Sequence, residues 1–237
     1  MHILDEILAR IRSTKVARHT PVVVFDLDHT LFDNGPRTII LLREFALSVG
    51  ETQLHQRLAA VPELGVPYQV SEVLAGVGEH RPEIVQAAHA YWLARFFTDD
   101  IQRVDVPVAG AREYANETFE AGATVVYLSG RDVPNMLVGC TESLRTHGFP
   151  VGLAHTVIVL KPNFEMRDLD FKRDVIDFLD TLGSVVATFD NEPANCNLFR
   201  RMFPNGVSVF LDTAMAPEAP PLDDGIPHIK DFRRSRV

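Results

Sequence analysis

Five short apolar segments, alternating with segments of helical periodicity, most constrain how this chain can fold. The apolar segments are residues 22–26, 124–128, 155–160, 185–190 and 207–211. Their near-continuous Val, Ile, Leu and Phe content is typical of strands that helices cover on both faces. Helical patterns flank the later segments, at residues 111–120, 134–147, 171–182 and 194–203. This alternation predicts an α/β fold with a Rossmann-like parallel sheet flanked by helices.

The interval between the first and second strands is too long for a single crossover. It contains helical patterns at residues 38–49, about 68–77 and 83–97, interrupted by Gly65 and Pro67. We therefore predict a small α-helical cap over residues 36–104, inserted after the first strand. The core is then discontinuous, formed by residues 1–35 and 105–237. The segment after Asp212 is rich in Pro and charge, so we expect it to lie on the surface.

The composition excludes several classes of protein. The chain has 237 residues, a net charge of −9 and a pI near 5.4, which disfavours general nucleic-acid binding. Two cysteines, Cys140 and Cys196, do not make a disulfide framework. The sequence contains no apolar run near the roughly 18 residues that span a membrane. We expect a cytoplasmic protein without a membrane partner, whose oligomeric state the sequence leaves open.

Polar side chains follow the apolar segments at the edge where parallel sheets bind ligands. Because the carboxyl ends of parallel strands meet at one edge, we expect these groups to converge. They are Asp26, Asp28 and Thr30 after the first strand, Ser129, Gly130 and Arg131 after the second, Lys161 after the third, and Asp190, Asn191 and Glu192 after the fourth.

These residues resemble the motifs of the haloacid dehalogenase-like (HAD) superfamily, in particular its magnesium-dependent phosphatases. The motif DxDxT after an apolar strand reads here as residues 26–30, DLDHT. A Ser that ends the next strand is Ser129, a Lys lies upstream of the fourth strand, and an acidic cluster contains Asp190. The resemblance implies a HAD-like core with a helical cap and the activity of a phosphoric monoester hydrolase.

The resemblance also implies a role for each motif residue. Asp26 would be the nucleophile that forms an aspartyl-phosphate, and Asp28 the general acid and base. Asp26, Asp190 and the backbone carbonyl of Asp28 would bind Mg²⁺, and Glu192 is a further candidate for contact with the metal. The phosphoryl group of a small phosphorylated metabolite would be bound by Thr30, Ser129, Gly130 and Arg131.

Several assignments stay open at this point. The catalytic lysine is Lys172 or Lys161; we prefer Lys172 because the corresponding lysine commonly begins the helix leading to the fourth strand. Arg131 suits a phosphate but equally a carboxylate of the core or cap. Asn191 stands where a second acid is common, which weakens the assignment of Glu192. His29 has no role that the sequence assigns.

The activity has alternatives as well. A phosphomutase or another phosphotransferase of the superfamily would use the same aspartyl-phosphate. A catalytically silent HAD-like binding module would keep the fold alone, and such modules usually lose the nucleophile or the acid. Carbon–halogen hydrolysis needs neither Asp28 nor a metal cluster, so the complete motif argues against it.

Overall fold

The structure is a computed structural model that describes residues 2–234. Its strands, in chain order, are β1 (Pro21–Phe25), β2 (Phe32–Asp33), β3 (Val106–Pro107), β4 (Thr124–Asp132), β5 (Thr156–Lys161), β6 (Ser184–Asp190), β7 (Val207–Leu211) and β8 (His228–Ile229). Six of them form one parallel sheet in the order β5-β4-β1-β6-β7-β8. The predicted Rossmann-like α/β fold is confirmed, with β1 between β4 and β6 in the interior of the sheet.

Ten α-helices and one 3₁₀ helix, Asp100–Val104, accompany these strands in residues 2–234. The α-helices are α1 (Ile3–Val16), α2 (Gly35–Ser48), α3 (Thr52–Ala59), α4 (Val70–Gly76), α5 (Pro82–Phe96), α6 (Ala111–Glu120), α7 (Val133–Thr146), α8 (Asp168–Asp174), α9 (Ile176–Leu182) and α10 (Pro193–Met202).

The sheet is buried on both faces because successive strand residues point to opposite sides. In β1, Val23 and Phe25 enter a core that includes side chains of α1, α6 and α7. Val22 and Val24 enter a second core, which α8, α9 and α10 complete on the other face. The result is a sheet between two layers of helices, which explains why its strands lack polar alternation.

Helices α2 to α5 form a helical insert, residues 35–104, with its own hydrophobic core. Ile39, Leu42 and Phe45 of α2 pack there with residues of α3, α4 and α5. The antiparallel pair of β2 and β3 holds the two ends of the insert together, with Phe32 opposite Pro107. The division into a cap over 36–104 and a discontinuous core stays a prediction.

The C-terminal segment differs from our expectation of a surface location. Its strand β8 adds to the sheet edge beside β7, with Phe210 paired to His228. Phe232 is only 2% exposed and packs in the core of the α1 face, where its ring lies 5.4 Å from that of Phe189. The prediction from composition was wrong because the buried ring of Phe232 and the pairing of β8 fix the segment to the core, although most residues around them are polar.

Smaller differences concern the helices. Helix α3 was not predicted, and the predicted helix 171–182 is two helices that meet at Val175, where the backbone leaves helical geometry at φ −91° and ψ 0°. Cys140 and Cys196 are buried free thiols, as the cysteine count indicated. In residues 2–234 no helix is both long and apolar enough to span a membrane.

Candidate active site

Two buried carboxylates meet one buried ammonium at the carboxyl edge of the sheet. The Nζ of Lys172 donates to Oδ1 of Asp26 at 2.8 Å and to Oδ2 of Asp190 at 2.6 Å. Asp26 is 6% exposed, and the other two residues are 2% exposed or less. Three residues that the sequence placed far apart are thus brought within one hydrogen-bonded cluster.

Local structure explains how the three side chains reach this point. Asp26 follows β1 directly, and its backbone N–H donates to the carbonyl of Phe189 in β6, at 2.9 Å. Asp190 ends β6, so the two carboxylates leave neighbouring strands at the same level. Lys172 lies in α8, which packs on the second face of the sheet, and reaches over the strand ends.

Asp190 is held rigidly within this cluster. Its Oδ1 accepts the backbone N–H of Glu192 at 2.9 Å and Nδ2 of Asn195 at 3.1 Å, while Oδ2 takes the lysine. Asp26 is bound at Oδ1 alone, and within residues 2–234 its Oδ2 accepts no hydrogen bond. Asp190 is therefore positioned as a fixed charge, whereas Asp26 keeps one oxygen available for another partner.

The electrostatics of the cluster reflect burial and like charge. Burial raises the pKa of the Asp26 carboxyl, the Asp190 charge adds to the rise, and Lys172 opposes it. The two carboxylates in turn raise the pKa of the Lys172 ammonium, which stays charged despite burial. One ammonium between two buried carboxylates leaves a site that favours a further cation.

Asp28 lies in a separate ionic network. Its carboxylate accepts Nη2 of Arg131 at 2.7 Å and lies 3.5 Å from Nη2 of Arg37, and Asn34 donates to it as well. Burial alone would raise the pKa of Asp28, but the two guanidinium groups outweigh it and hold that pKa well below its usual range. Asp28 is therefore ionised in this arrangement.

Asp105 completes this network. It accepts from Arg37 at both carboxylate oxygens and from Nη2 of Arg131 at 2.9 Å, and all three side chains are fully buried. Arg37 and Asp105 were not among the residues that the sequence predicted for this site. The available signal was weak: one arginine near the start of an apolar helix, and one aspartate where the chain returns to the core.

Arg131 contacts carboxylates of the core in this structure. Its guanidinium contacts Asp28, Asp105 and Oε1 of Gln102, the last at 2.6 Å. Arg131 also lines the cavity described below, so a role in binding phosphate stays a prediction.

The two candidate lysines are in different surroundings. Lys161 does not reach the carboxylate cluster; its Nζ donates to the backbone carbonyls of Phe164 and Met166 and forms an ion pair with Asp168 at 2.9 Å. Lys161 therefore stabilises the loop between β5 and α8. The geometry agrees with the preference for Lys172 as the lysine of the cluster.

Only some of the predicted phosphate-binding residues line the cavity. Thr30 and Ser129 are fully buried and do not line the cavity; Thr30 donates to Asn191, and Ser129 accepts the backbone N–H of Arg131. Gly130 does line the cavity. A Cβ at that position would lie 2.1 Å from a carboxylate oxygen of Asp168, so this exposed side chain would have to move to admit any larger residue.

Asn191 and Glu192 are tied to the C-terminal segment. Asn191 donates to the carbonyl of Ala214 at 2.7 Å, and Glu192 accepts the backbone N–H of Ala216 at 2.9 Å. Burial raises the pKa of Glu192 to about 7. Both residues also line the cavity, and metal contact by Glu192 stays a prediction.

A cavity of about 390 Å³ lies over the cluster, between the sheet edge and the helical insert. The charged residues that line the cavity all belong to the core, among them Asp26, Asp28 and Lys172. The insert contributes mainly apolar and aromatic residues: Gly35, Thr38, Val66, Pro67, Tyr68, Trp92, Phe96 and Phe97. His29 lines the cavity from the loop after β1, with a backbone φ of 55°. Enclosed pockets of this size commonly bind small molecules.

The carboxylates of this site fit a magnesium ion whose coordination shell is completed by water and substrate oxygens. Within residues 2–234 no group of three or more His, Cys, Asp and Glu side chains is arranged to hold a metal alone. Mg²⁺ typically uses only one or two carboxylates and fills its shell with water and substrate oxygens. The oxygens of Asp26 and Asp190 already converge on one cation, the Lys172 ammonium, so they can share another.

Comparison with solved structures defines the class of fold. A Clostridium difficile protein provisionally described as a phosphatase superposes with a TM-score of 0.54 at 13% identity, over 84% of this chain and 88% of that one. A HAD-superfamily hydrolase of subfamily IA from Geobacter sulfurreducens gives 0.52 at 13% identity, over 90% and 93%. Protein Tyrosine Kinase A of Mycobacterium tuberculosis gives 0.52 at 17% identity, over 89% and 93%.

This chain therefore has the HAD-like fold that its motifs predicted. No protein-family model and no curated protein sequence matches it significantly. The structural neighbours share too little sequence to extend the likeness beyond the fold, and their names include both a hydrolase and a kinase. What the protein does must be argued from its own site.

Proposed function

We propose that this protein is a Mg²⁺-dependent phosphomonoester hydrolase that acts on a small phosphorylated metabolite through an aspartyl-phosphate intermediate. The observation that supports this most is the cluster of Asp26, Asp190 and Lys172 at the strand ends, beneath a cavity of about 390 Å³. In phosphoryl transfer a carboxylate with one unbonded oxygen can serve as nucleophile, a fixed second carboxylate can bind a metal ion, and a buried ammonium can stabilise negative charge.

In the first step, Oδ2 of Asp26 attacks the phosphorus atom. The bond between phosphorus and the leaving oxygen breaks, and that oxygen takes a proton. Lys172, which holds the other oxygen of Asp26, orients the nucleophile and stabilises negative charge on the phosphoryl group. Mg²⁺, when bound through Asp26, Asp190 and the carbonyl of Asp28, would supply further neutralisation of that charge.

In the second step, water attacks the phosphorus of the aspartyl-phosphate and releases inorganic phosphate, which restores the Asp26 carboxylate. Asp28 is the proposed proton partner: because it is ionised without substrate, it would first take up the proton of a phosphomonoester that binds as its monoanion, pass that proton to the leaving oxygen, and then take a proton from the water. Its ion pairs with Arg131 and Arg37 stabilise the carboxylate, the form that the second step needs.

A phosphate-release assay on a panel of phosphomonoesters, with Mg²⁺ or with EDTA, tests this proposal. We expect release only with Mg²⁺, and a loss of at least about a thousandfold in Asp26→Asn, since this change removes the nucleophile. Asp180→Asn, the same change at an exposed position of α9, serves as the matched control and should retain wild-type rates.

Two results would contradict the proposal. Wild-type rates in Asp26→Asn would exclude this residue as the nucleophile. Absence of release from every ester of the panel would favour a binding module with the HAD-like fold.

A further inference from the structure

Four aromatic rings form a continuous wall on one side of the cavity. The rings of Trp92 and Phe96 lie 4.4 Å apart, those of Phe96 and Phe97 5.0 Å apart, and those of Phe97 and Phe164 5.1 Å apart. Trp92 and Phe96 belong to the end of α5, Phe97 follows that helix directly, and Phe164 lies in the loop after β5, so the wall joins the insert to the core. We call these four residues the aromatic wall.

Three of the four rings in the wall are exposed to the cavity, although they pack on one another; the fourth, Phe96, is buried. Phe164 is 41% exposed, and Trp92 and Phe97 are half-buried. All four line the cavity. A cluster that served only to join the insert to the core would bury these faces, so the wall has surface left for a ligand.

The rest of the insert offers the ligand little else to bind. None of its residues that line the cavity is charged. The hydroxyl of Thr38 already accepts the indole N–H of Trp92 at 3.1 Å. Tyr68 presents a ring beside His29, 6.0 Å between ring centroids, and burial raises the pKa of its phenol to about 12, which keeps the hydroxyl protonated. A polyhydroxylated group that faced the insert would find only the hydroxyls of Thr38 and Tyr68 as side-chain partners there, so it would lose more hydrogen bonds to water than the insert replaces.

We infer that the group esterified to phosphate in the substrate is flat and apolar, which makes the substrate an aryl phosphomonoester rather than a sugar phosphate. This inference rests on the proposed function, because it takes the carboxylate cluster as the binding place of the phosphate. The cavity, at about 390 Å³, accommodates a phosphate with one or two rings. The aromatic wall would bind those rings by offset or edge-to-face stacking.

A binding assay without turnover tests the inference. Trp92 is the only tryptophan in the chain, so intrinsic fluorescence reports directly on the aromatic wall. Three phosphonates that cannot be hydrolysed are titrated in the presence of Mg²⁺: benzylphosphonate, methylphosphonate and 2,3-dihydroxypropylphosphonate. We expect benzylphosphonate to bind at least about tenfold more tightly than either of the others, since it alone buries a ring.

A pair of matched variants locates the effect. Phe164→Ala removes a ring of the wall, and Phe178→Ala removes an equally exposed ring, 43% against 41%, from α9 outside the cavity. Phe164→Ala should weaken benzylphosphonate by about two- to tenfold and leave methylphosphonate unchanged. Phe178→Ala should change neither.

The inference is overturned if benzylphosphonate binds no tighter than methylphosphonate, if the dihydroxypropyl compound binds best, if no phosphonate alters the fluorescence of a protein that does release phosphate from esters, or if the two variants behave alike. Tight binding of benzylphosphonate in a protein that releases phosphate from no ester would contradict the proposed hydrolase instead. The two failures are therefore distinguishable.

Discussion

Replacing Asp105 with asparagine tests whether the buried ionic network stabilises the fold. Arg37, Asp105 and Arg131 have no exposed side-chain surface, and Asp28 supplies the second negative charge with a side chain 31% exposed. Two guanidinium groups and two carboxylates therefore balance in a site almost without water. Asp105→Asn keeps the shape but leaves two buried positive charges with one partner.

The expected cost follows from this imbalance. Removing one partner of a buried ion pair typically destabilises a protein by about 3–5 kcal/mol, because the remaining charge has neither solvent nor counter-ion. Hydrogen bonding adds to the cost, since Asp105 accepts from Arg37 at both oxygens. An asparagine amide would direct N–H groups at an N–H donor in either orientation. For a chain of this length, about 2–4 °C of Tm per kcal/mol corresponds to a fall of about 6–20 °C.

Urea unfolding and thermal melting of Asp105→Asn measure this cost. The matched control is Glu63→Gln, the same carboxylate-to-amide change in an ion pair with Arg43 whose glutamate is 45% exposed. Exposed pairs contribute about 0–1 kcal/mol, so the control should melt within a few degrees of the wild type. If Asp105→Asn loses less than about 1 kcal/mol, or no more than Glu63→Gln, the assignment of a stabilising buried network is refuted.

Two further predictions concern the lysines and the C-terminal segment. Lys172→Ala should lower phosphate release by about a hundredfold or more, as expected for loss of a charge-stabilising donor. Lys161→Ala, outside the cluster with Asp26, should stay within about tenfold of the wild type, and equal losses in the two variants would refute the assignment. Phe232→Ala should lower the free energy of unfolding by about 3–5 kcal/mol in urea, because its ring is buried in the core. Phe178→Ala, a change of the same kind at an exposed ring, should cost little, and a similarly small cost at Phe232 would refute a stabilising role for its buried ring.

Much of the sheet was predictable because its signal is local. Strand β7, Val207–Leu211, and helix α6, Ala111–Glu120, have the predicted bounds, and the other four predicted strands begin within one residue of prediction. A run of β-branched residues indicates directly that a strand is buried on both of its faces. Strand β8 was missed because a two-residue strand has no periodicity, and its pairing with β7 is a contact between distant residues.

The candidate site was predictable to a different degree for each residue. Asp26 and Asp190 were found because each lies at the carboxyl end of a strand, and neighbouring parallel strands bring these ends together. The lysine remained open between two positions, since the conformation of the loop after β5 decides which one reaches the carboxylates. The contacts of Asp105 had no local signal, since its partners lie 68 and 26 residues away.

The sequence by itself determined the α/β class and the pair Asp26 and Asp28 at the end of a buried strand. These features depend on periodicity and on residues within a few positions of one another. Only the tertiary structure decided that Lys172 joins Asp26 to Asp190, that Asp28 is held by arginines, and that aromatic rings line the cavity. Each of these contacts joins separate elements, and its strength comes from excluding water around charges and rings, which happens only when those elements pack together.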